Sequence, residues 1–145
     1  MSDAYSISLE GAPSTEDERL LDAGLEAYGA QFAPQEVEQP LTVMLRTPDG
    51  RLVGGLIAET GSGWLFVRTL WIEEAARRRG YGRELMSMAE HEALRRGCHS
   101  ARLSTQSYEA LPFYEHLGYQ VFGELSDYPP GHKKYFLQKR LAEGI

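Results

Sequence analysis

Residues 77–83, Arg77-Arg78-Arg79-Gly80-Tyr81-Gly82-Arg83, decide the reading of the chain, because they join a strand-like run to a helix-like run through two glycines and four arginines. Upstream, WLFVRTLWI at 64–72 is rich in aromatic and β-branched residues and has the length of a strand. Downstream, residues 84–96 repeat apolar side chains at helical spacing, with Leu85, Met86, Ala89 and Ala93 on or near one face. A loop in that position ends on helix N–H groups that have no partner within the helix, and the helix dipole adds positive potential there. The glycines allow positive φ and close approach of a ligand to the backbone, while the arginines supply fork-shaped donors, so the stretch reads as an anion cradle suited to phosphate. It is not a P-loop, since no G-x-x-x-x-G-K-[ST] run occurs. Nor is it a dinucleotide fingerprint, since Leu85 stands where the third glycine belongs.

Working outward, the flanking runs suggest a single domain over residues 1–145. A chain with 42% hydrophobic and 25% charged residues is ordinary for a globular protein. It contains no apolar run long enough for a membrane span and begins with no signal-like segment, which points to the cytoplasm. The net charge of −6 argues against nucleic acid as a partner and leaves the arginine cluster as a local exception. Cys98 has no second cysteine to pair with, and His91, His99, His116 and His132 lack metal-ligand spacing, so no metal is expected.

Residues 4–10 alternate apolar and polar side chains and suggest a first strand. Ser14 or Thr15 can cap a helix whose first turn carries Glu16, Asp17 and Glu18 and whose stripe is Leu20, Leu21, Leu25 and Tyr28. Residues 29–40 have two prolines and no period and read as loop. Strands at 41–46 and 51–59 flank an Asp49-Gly50 hairpin turn and lead to the strand at 64–72. Gly97 stops the central helix, and the strand at 101–105 then follows a βαβ crossover, parallel to 64–72. Ser107 can cap the next helix, although Pro112 in a first turn favours a start near Leu111. Gly118 ends that helix, and strands at 119–125 and 133–139 form a closing hairpin.

Phe113-Tyr114-Glu115-His116-Leu117-Gly118-Tyr119 is the second informative run. Together the two resemble the signatures of the GNAT superfamily of acyl-CoA-dependent N-acyltransferases, with Arg77, Gly80 and Gly82 at the defining positions of its R/Q-x-x-G-x-G/A loop. The resemblance covers residues 41–141 well and the first forty loosely. It implies an α/β fold, with a mixed, mostly antiparallel central sheet and helices on both faces, and acetyl transfer from acetyl-CoA to a primary amine of a small molecule or peptide, directly in a ternary complex. A non-catalytic acyl-CoA-binding or regulatory module of the same fold is the alternative. The family often pairs through sheet edges or its C-terminal hairpin, so a homodimer is the assembly the resemblance allows.

Acyl transfer requires polarisation of the thioester carbonyl, loss of a proton from the amine and protonation of the departing thiolate. The resemblance implies that acetyl-CoA lies along the strand end at Leu70, Trp71 and Ile72. Its pyrophosphate would rest on Arg77, Arg78, Arg79, Gly80, Tyr81, Gly82 and Arg83, with Phe113 and Tyr114 beside the sulfur. Tyr114 is the candidate acid. Glu73 and Glu74 follow the strand directly; Glu73 is the candidate base, and its other reading is a solvated carboxylate screening the arginines. Where relatives carry an asparagine after the strand at 101–105, this chain has Gln106-Ser107, and Gln106 or Ser107 is the expected substitute. In the family the region 29–40 helps form an acceptor wall, which makes Tyr28 and Phe32 candidates there.

Overall fold

The computed structural model describes residues 4–34 and 36–142. The chain divides into two units, Met1–Glu36 and Val37–Ile145.

In the first unit a single helix, α1, spans Thr15–Gly29, and the Ser14 hydroxyl accepts a hydrogen bond from the Asp17 N–H at 3.1 Å, as the capping pattern leads one to expect. The strand expected at residues 4–10 does not form: the segment is irregular, with Ile7 and Leu9 fully exposed. Alternation marks which side chains could share a face, but a strand exists only where a neighbour accepts its backbone hydrogen bonds.

The second unit is a six-stranded sheet in the order β1-β2-β3-β4-β6-β5. β1 (Gln39–Arg46), β2 (Leu52–Gly61) and β3 (Trp64–Ile72) form an antiparallel meander, joined first by a turn in which Gly50 has φ +92°. A 3₁₀ turn at Glu74–Ala76 and the arginine-glycine loop lead to α2 (Tyr81–Arg95), which ends as expected at Gly97, with φ +91°. β4 (Ser100–Gln106) runs parallel to β3, as the crossover requires. α3 (Leu111–His116) then precedes β5 (Gln120–Ser126) and β6 (Lys133–Arg140). Ser107 does not cap α3, which starts at Leu111 with Pro112 in its first turn. The Ser107 hydroxyl accepts instead from the Lys133 N–H at 3.1 Å and ties the end of β4 to the start of β6. All pairings except β3–β4 are antiparallel.

The core lies on one face of this sheet. Leu41, Leu56, Ala58, Leu65, Val67, Ala101, Leu103 and Leu137 point into it from the strands. Leu85, Met86, Ala89 and Ala93 of α2 and Tyr114 of α3 meet them there. The apolar stripe read from residues 84–96 is therefore the buried face of α2. Buried on the same helix, Glu90 accepts from the Tyr119 hydroxyl and from Lys139 Nζ, both at 2.8 Å. A buried carboxylate is tolerable only with such partners.

Candidate active site

The parallel pairing of β3 with β4 lasts for three residue pairs, Trp64 with Ser100, Leu65 with Ala101 and Phe66 with Arg102. β3 continues to Ile72 and β4 to Gln106, but from Val67 onward the two are no longer paired. β2 still holds the other edge of β3 as far as Ile72, and β6 still holds the other edge of β4 as far as Gln106. Part of the divergence starts in β3 itself, where a register shift inserts Arg68 opposite the Ile57/Ala58 step of β2. Such a bulge increases local twist and turns a strand away from its neighbour.

The wedge between the strands holds a cavity of about 290 Å³ lined by Val67–Leu70 on one side and Ser104 and Thr105 on the other. Glu109, Ala110 and Tyr114 complete it. Tyr114 is held at the cavity by edge-on packing against Phe113, at 5.1 Å between ring centres, and Tyr119, at 6.1 Å. Among the described residues its hydroxyl makes no hydrogen bond. Burial, and then the charge of Glu109, push the phenol up to about 12, so it stays protonated at any ordinary working pH.

Glu109 escaped sequence reasoning. It lies in an irregular turn, and only the fold reveals that its Oε1 accepts from the Gln106 N–H at 2.6 Å and the Thr105 hydroxyl at 3.4 Å. Acid residues two to four positions after a strand are too common to stand out.

The loop that opens α2 has the geometry of an anion cradle. Arg78 and Gly80 both have positive φ, +63° and +85°. Among the described residues the N–H groups of Arg78 to Arg83 make no hydrogen bond, and the first helical bond is donated by Glu84 to the Gly80 carbonyl. Successive unpaired N–H groups of this kind form a concavity that fits phosphate oxygens. The two glycines serve different needs. A Cβ on Gly80 would meet nothing within 4 Å, so the left-handed backbone is what calls for glycine there. A Cβ on Gly82 would lie 3.1 Å from Phe113 Cζ and 3.6 Å from Ile72 Cδ1, so Gly82 lets the first turn of α2 close on the wedge.

Several expected residues gather around this arrangement. Leu70 and Ile72 pack on the core while Trp71, between them, is exposed on the opposite face. Arg77 Nε donates to the Ile72 carbonyl at 2.7 Å and so ties the loop to the end of β3, whereas Arg78, Arg79 and Arg83 extend into solvent. Gln106 ends β4 at the rim of the wedge. Glu73 stands apart. It pairs with Arg51 at 3.0 Å and lines a separate cleft of about 350 Å³ with Arg46, Arg79 and Tyr81. Tyr28 and Phe32 belong to the other unit, where their rings lie 5.3 Å apart.

The site is thus a wedge between two parting parallel strands beside a glycine-arginine helix start, with neither a P-loop nor a dinucleotide fingerprint. The comparisons give its family. The profile described as "Acetyltransferase (GNAT) family" matches residues 3–119, and the chain belongs to that family. An acetyltransferase of Agrobacterium fabrum is 33% identical over 132 residues, covering 91% of this chain and 96% of that protein. A blasticidin-S acetyltransferase of Streptomyces morookaense is 37% identical over 93 residues, covering 63% of this chain and 68% of its own. Among solved structures, an acetyltransferase of Bacillus cereus superposes with a TM-score of 0.84 at 26% identity, over 92% of this chain and 98% of that one.

Proposed function

We propose that the protein is an N-acetyltransferase that moves an acetyl group from acetyl-CoA to a primary amine of a small molecule, by direct attack within a ternary complex. The observation that carries this reading is the coincidence, within one unit, of the wedge between β3 and β4, the buried phenol of Tyr114 at its wall and the unpaired N–H groups of the loop beside it.

Acetyl-CoA, as the second substrate, would supply the thioester. The residues present fit it. The cradle at Arg78–Arg83 takes the pyrophosphate, and the edge of β3 released by β4, at Leu70 to Ile72, offers backbone groups other than the Ile72 carbonyl, which Arg77 holds, to an amide-containing arm. Arg78, Arg79 and Arg83 add charge from solvent, and Arg77 keeps the loop against β3. Phe113 sets the position of Tyr114 and, through Gly82, of the loop as well.

In the transfer, nitrogen bonds to the carbonyl carbon, the carbon–sulfur bond breaks, and the Tyr114 hydroxyl gives its proton to the leaving sulfur. A phenol held near 12 does not lose that proton to solvent beforehand. The amine proton leaves to water, and the Tyr114 phenolate takes a proton back from water, so the two transfers balance. Glu73 has no place at the wedge in this proposal, because it is engaged by Arg51 in the neighbouring cleft. The likeness to a blasticidin-S acetyltransferase favours a small-molecule acceptor over a protein terminus.

The test is release of free coenzyme thiol from acetyl-CoA across a panel of amines, with mass spectrometry of the acetylated product. Amine-dependent thiol release is the expected result. Calorimetric binding of acetyl-CoA without turnover on any amine would instead make the protein a binding module.

A further inference from the structure

Arg46 and Arg51 stand at the two ends of the β1–β2 turn, which is closed on itself. The Thr47 N–H donates to the Arg51 carbonyl at 2.9 Å, and the Thr47 hydroxyl accepts from the Arg51 N–H at 3.0 Å. Facing the turn, the Glu73 N–H donates to the Val53 carbonyl at 2.8 Å and brings the segment after β3 against the start of β2. Between them lies the cleft of about 350 Å³ that Glu73 lines. It is built from the second unit alone and shares no lining residue with the wedge. Its floor is apolar, with Leu45 half-buried and Val53 buried, and Tyr81 at the start of α2 forms a wall.

Three arginines from separate places in the sequence reach this cleft, Arg46, Arg51 and Arg79, against one carboxylate. Glu73 is bound to Arg51 at 3.0 Å and neutralises that one. Asp49, at the tip of the turn, is taken by the Thr47 hydroxyl. The Arg46 side chain makes only a long bond of 3.4 Å to the Gly50 carbonyl, and the Arg79 side chain makes no hydrogen bond or ion pair among the described residues. Two positive charges are thus left over in a concave site, on a protein whose net charge is −6. Like charges gathered in this way repel one another, and a bound anion removes that cost. Forked guanidinium donors arriving from several segments exceed what one planar carboxylate accepts edge-on, and they match the three terminal oxygens of a phosphate monoester.

We propose that the cleft is a second anion site, which takes a phosphate monoester carried on a ring-bearing or apolar body. Arg46, Arg51 and Arg79 hold the phosphate, and Leu45, Val53 and Tyr81 pack on the body. Arg79 and Tyr81 also belong to the loop whose N–H groups form the cradle, so an ester in the cleft is the neighbour of a pyrophosphate in the cradle. Two sources carry this chemistry: the ribose 3′-phosphate of coenzyme A, and a separate phosphorylated metabolite bound beside the coenzyme. The first source rests on the acetyl-CoA reading above; the site itself rests on the cleft alone.

Calorimetric titration of the wild type and of Arg46→Gln/Arg51→Gln tests the site and separates its sources. The probes are acetyl-CoA, acetyl-dephospho-CoA, which lacks the ribose 3′-phosphate, and phenyl phosphate. If the coenzyme fills the cleft, the wild type binds acetyl-CoA roughly 10-fold tighter than the dephospho form, and the double variant binds the two alike. If a separate metabolite fills it, the wild type binds both coenzymes alike and takes up phenyl phosphate in the presence of saturating acetyl-CoA, which the double variant does not. A wild type that neither distinguishes the coenzymes nor binds phenyl phosphate overturns the proposal, and so does a double variant that keeps the wild-type preference. Phenyl phosphate bound by the wild type and not by the variant, with no binding of either coenzyme, keeps the cleft and removes the acetyl-CoA reading instead. Should the double variant fail to fold by circular dichroism, Arg46→Gln replaces it, since that exposed side chain holds only the Gly50 carbonyl. It is expected to weaken the same binding roughly 3-fold, and unchanged binding overturns the site.

Discussion

Strands β3 and β4 are one pair of neighbours with two different halves. From Trp64 to Phe66 they are paired in parallel, and the side chains between them and the helices, Leu65 and Ala101, are completely buried. From Val67 on they part, and the space between them is a cavity bounded by Val67, Leu70 and Ala110 together with polar residues and a phenol. The paired half contributes close packing and the parted half contributes accessible backbone. A sheet that stayed paired to its end would be more stable and would leave no room for a ligand arm.

The contrast can be broken from either side. Leu65→Ala removes a fully buried side chain from the paired half and is expected to cost about 3–4 kcal/mol of folding stability, measured by urea unfolding. The kinetic constants of the molecules that remain folded should be unchanged; a loss of kcat equal to the loss at the other end would mean that the halves are not separable. Tyr114→Phe, in the parted half, keeps the ring that packs on Phe113 and Tyr119 and removes only the hydroxyl. It should lower kcat roughly 100-fold, about 2.7 kcal/mol of barrier, with little change in acetyl-CoA affinity or thermal midpoint. A variant with wild-type turnover would take the acid role away from Tyr114.

The smallest effect sharpens the comparison through pH. Tyr114 is pushed from its ordinary 10.0 up to about 12 in the folded protein, by burial and by Glu109, whereas in the unfolded chain it ionises near its ordinary value. Above that value the unfolded state holds fewer protons than the folded one, so this contribution to stability is complete below pH 10 and declines as pH rises toward about 12. The urea midpoint of the wild type should therefore fall across that window, and Tyr114→Phe should fall less steeply. Tyr119, raised in the same direction by burial and by Glu90, remains to produce the residual slope. Identical slopes for the two proteins would show that the phenol is not buried as described.

Much of this was legible in the residues. Gly80, Gly97 and Gly118 mark places where the backbone turns left-handed, and all three end or begin a helix as read. The strand at 64–72 and the parallel crossover to β4 followed from β-branched and aromatic composition and from chain order. Other features were not legible. Residues 4–10 carry the pattern of a strand but have no neighbour to pair with. The sequence assigns Gly82 to close approach of a ligand, and it also makes room for Phe113, thirty-one positions away. Glu73 sits next to the wedge in sequence, yet Arg51 draws it to the neighbouring cleft, while Glu109, with nothing local to mark it, lines the cavity.

The sequence by itself determined the glycine-arginine helix start, the buried stripe of α2 and the order of elements in the second unit, because each depends on backbone freedom or on periodicity within a few residues. Only the tertiary structure decided where β3 and β4 part, which carboxylate faces the phenol and which face of the sheet α2 and α3 cover. Those outcomes depend on register shifts and on side chains meeting across tens of residues, and no local pattern encodes them.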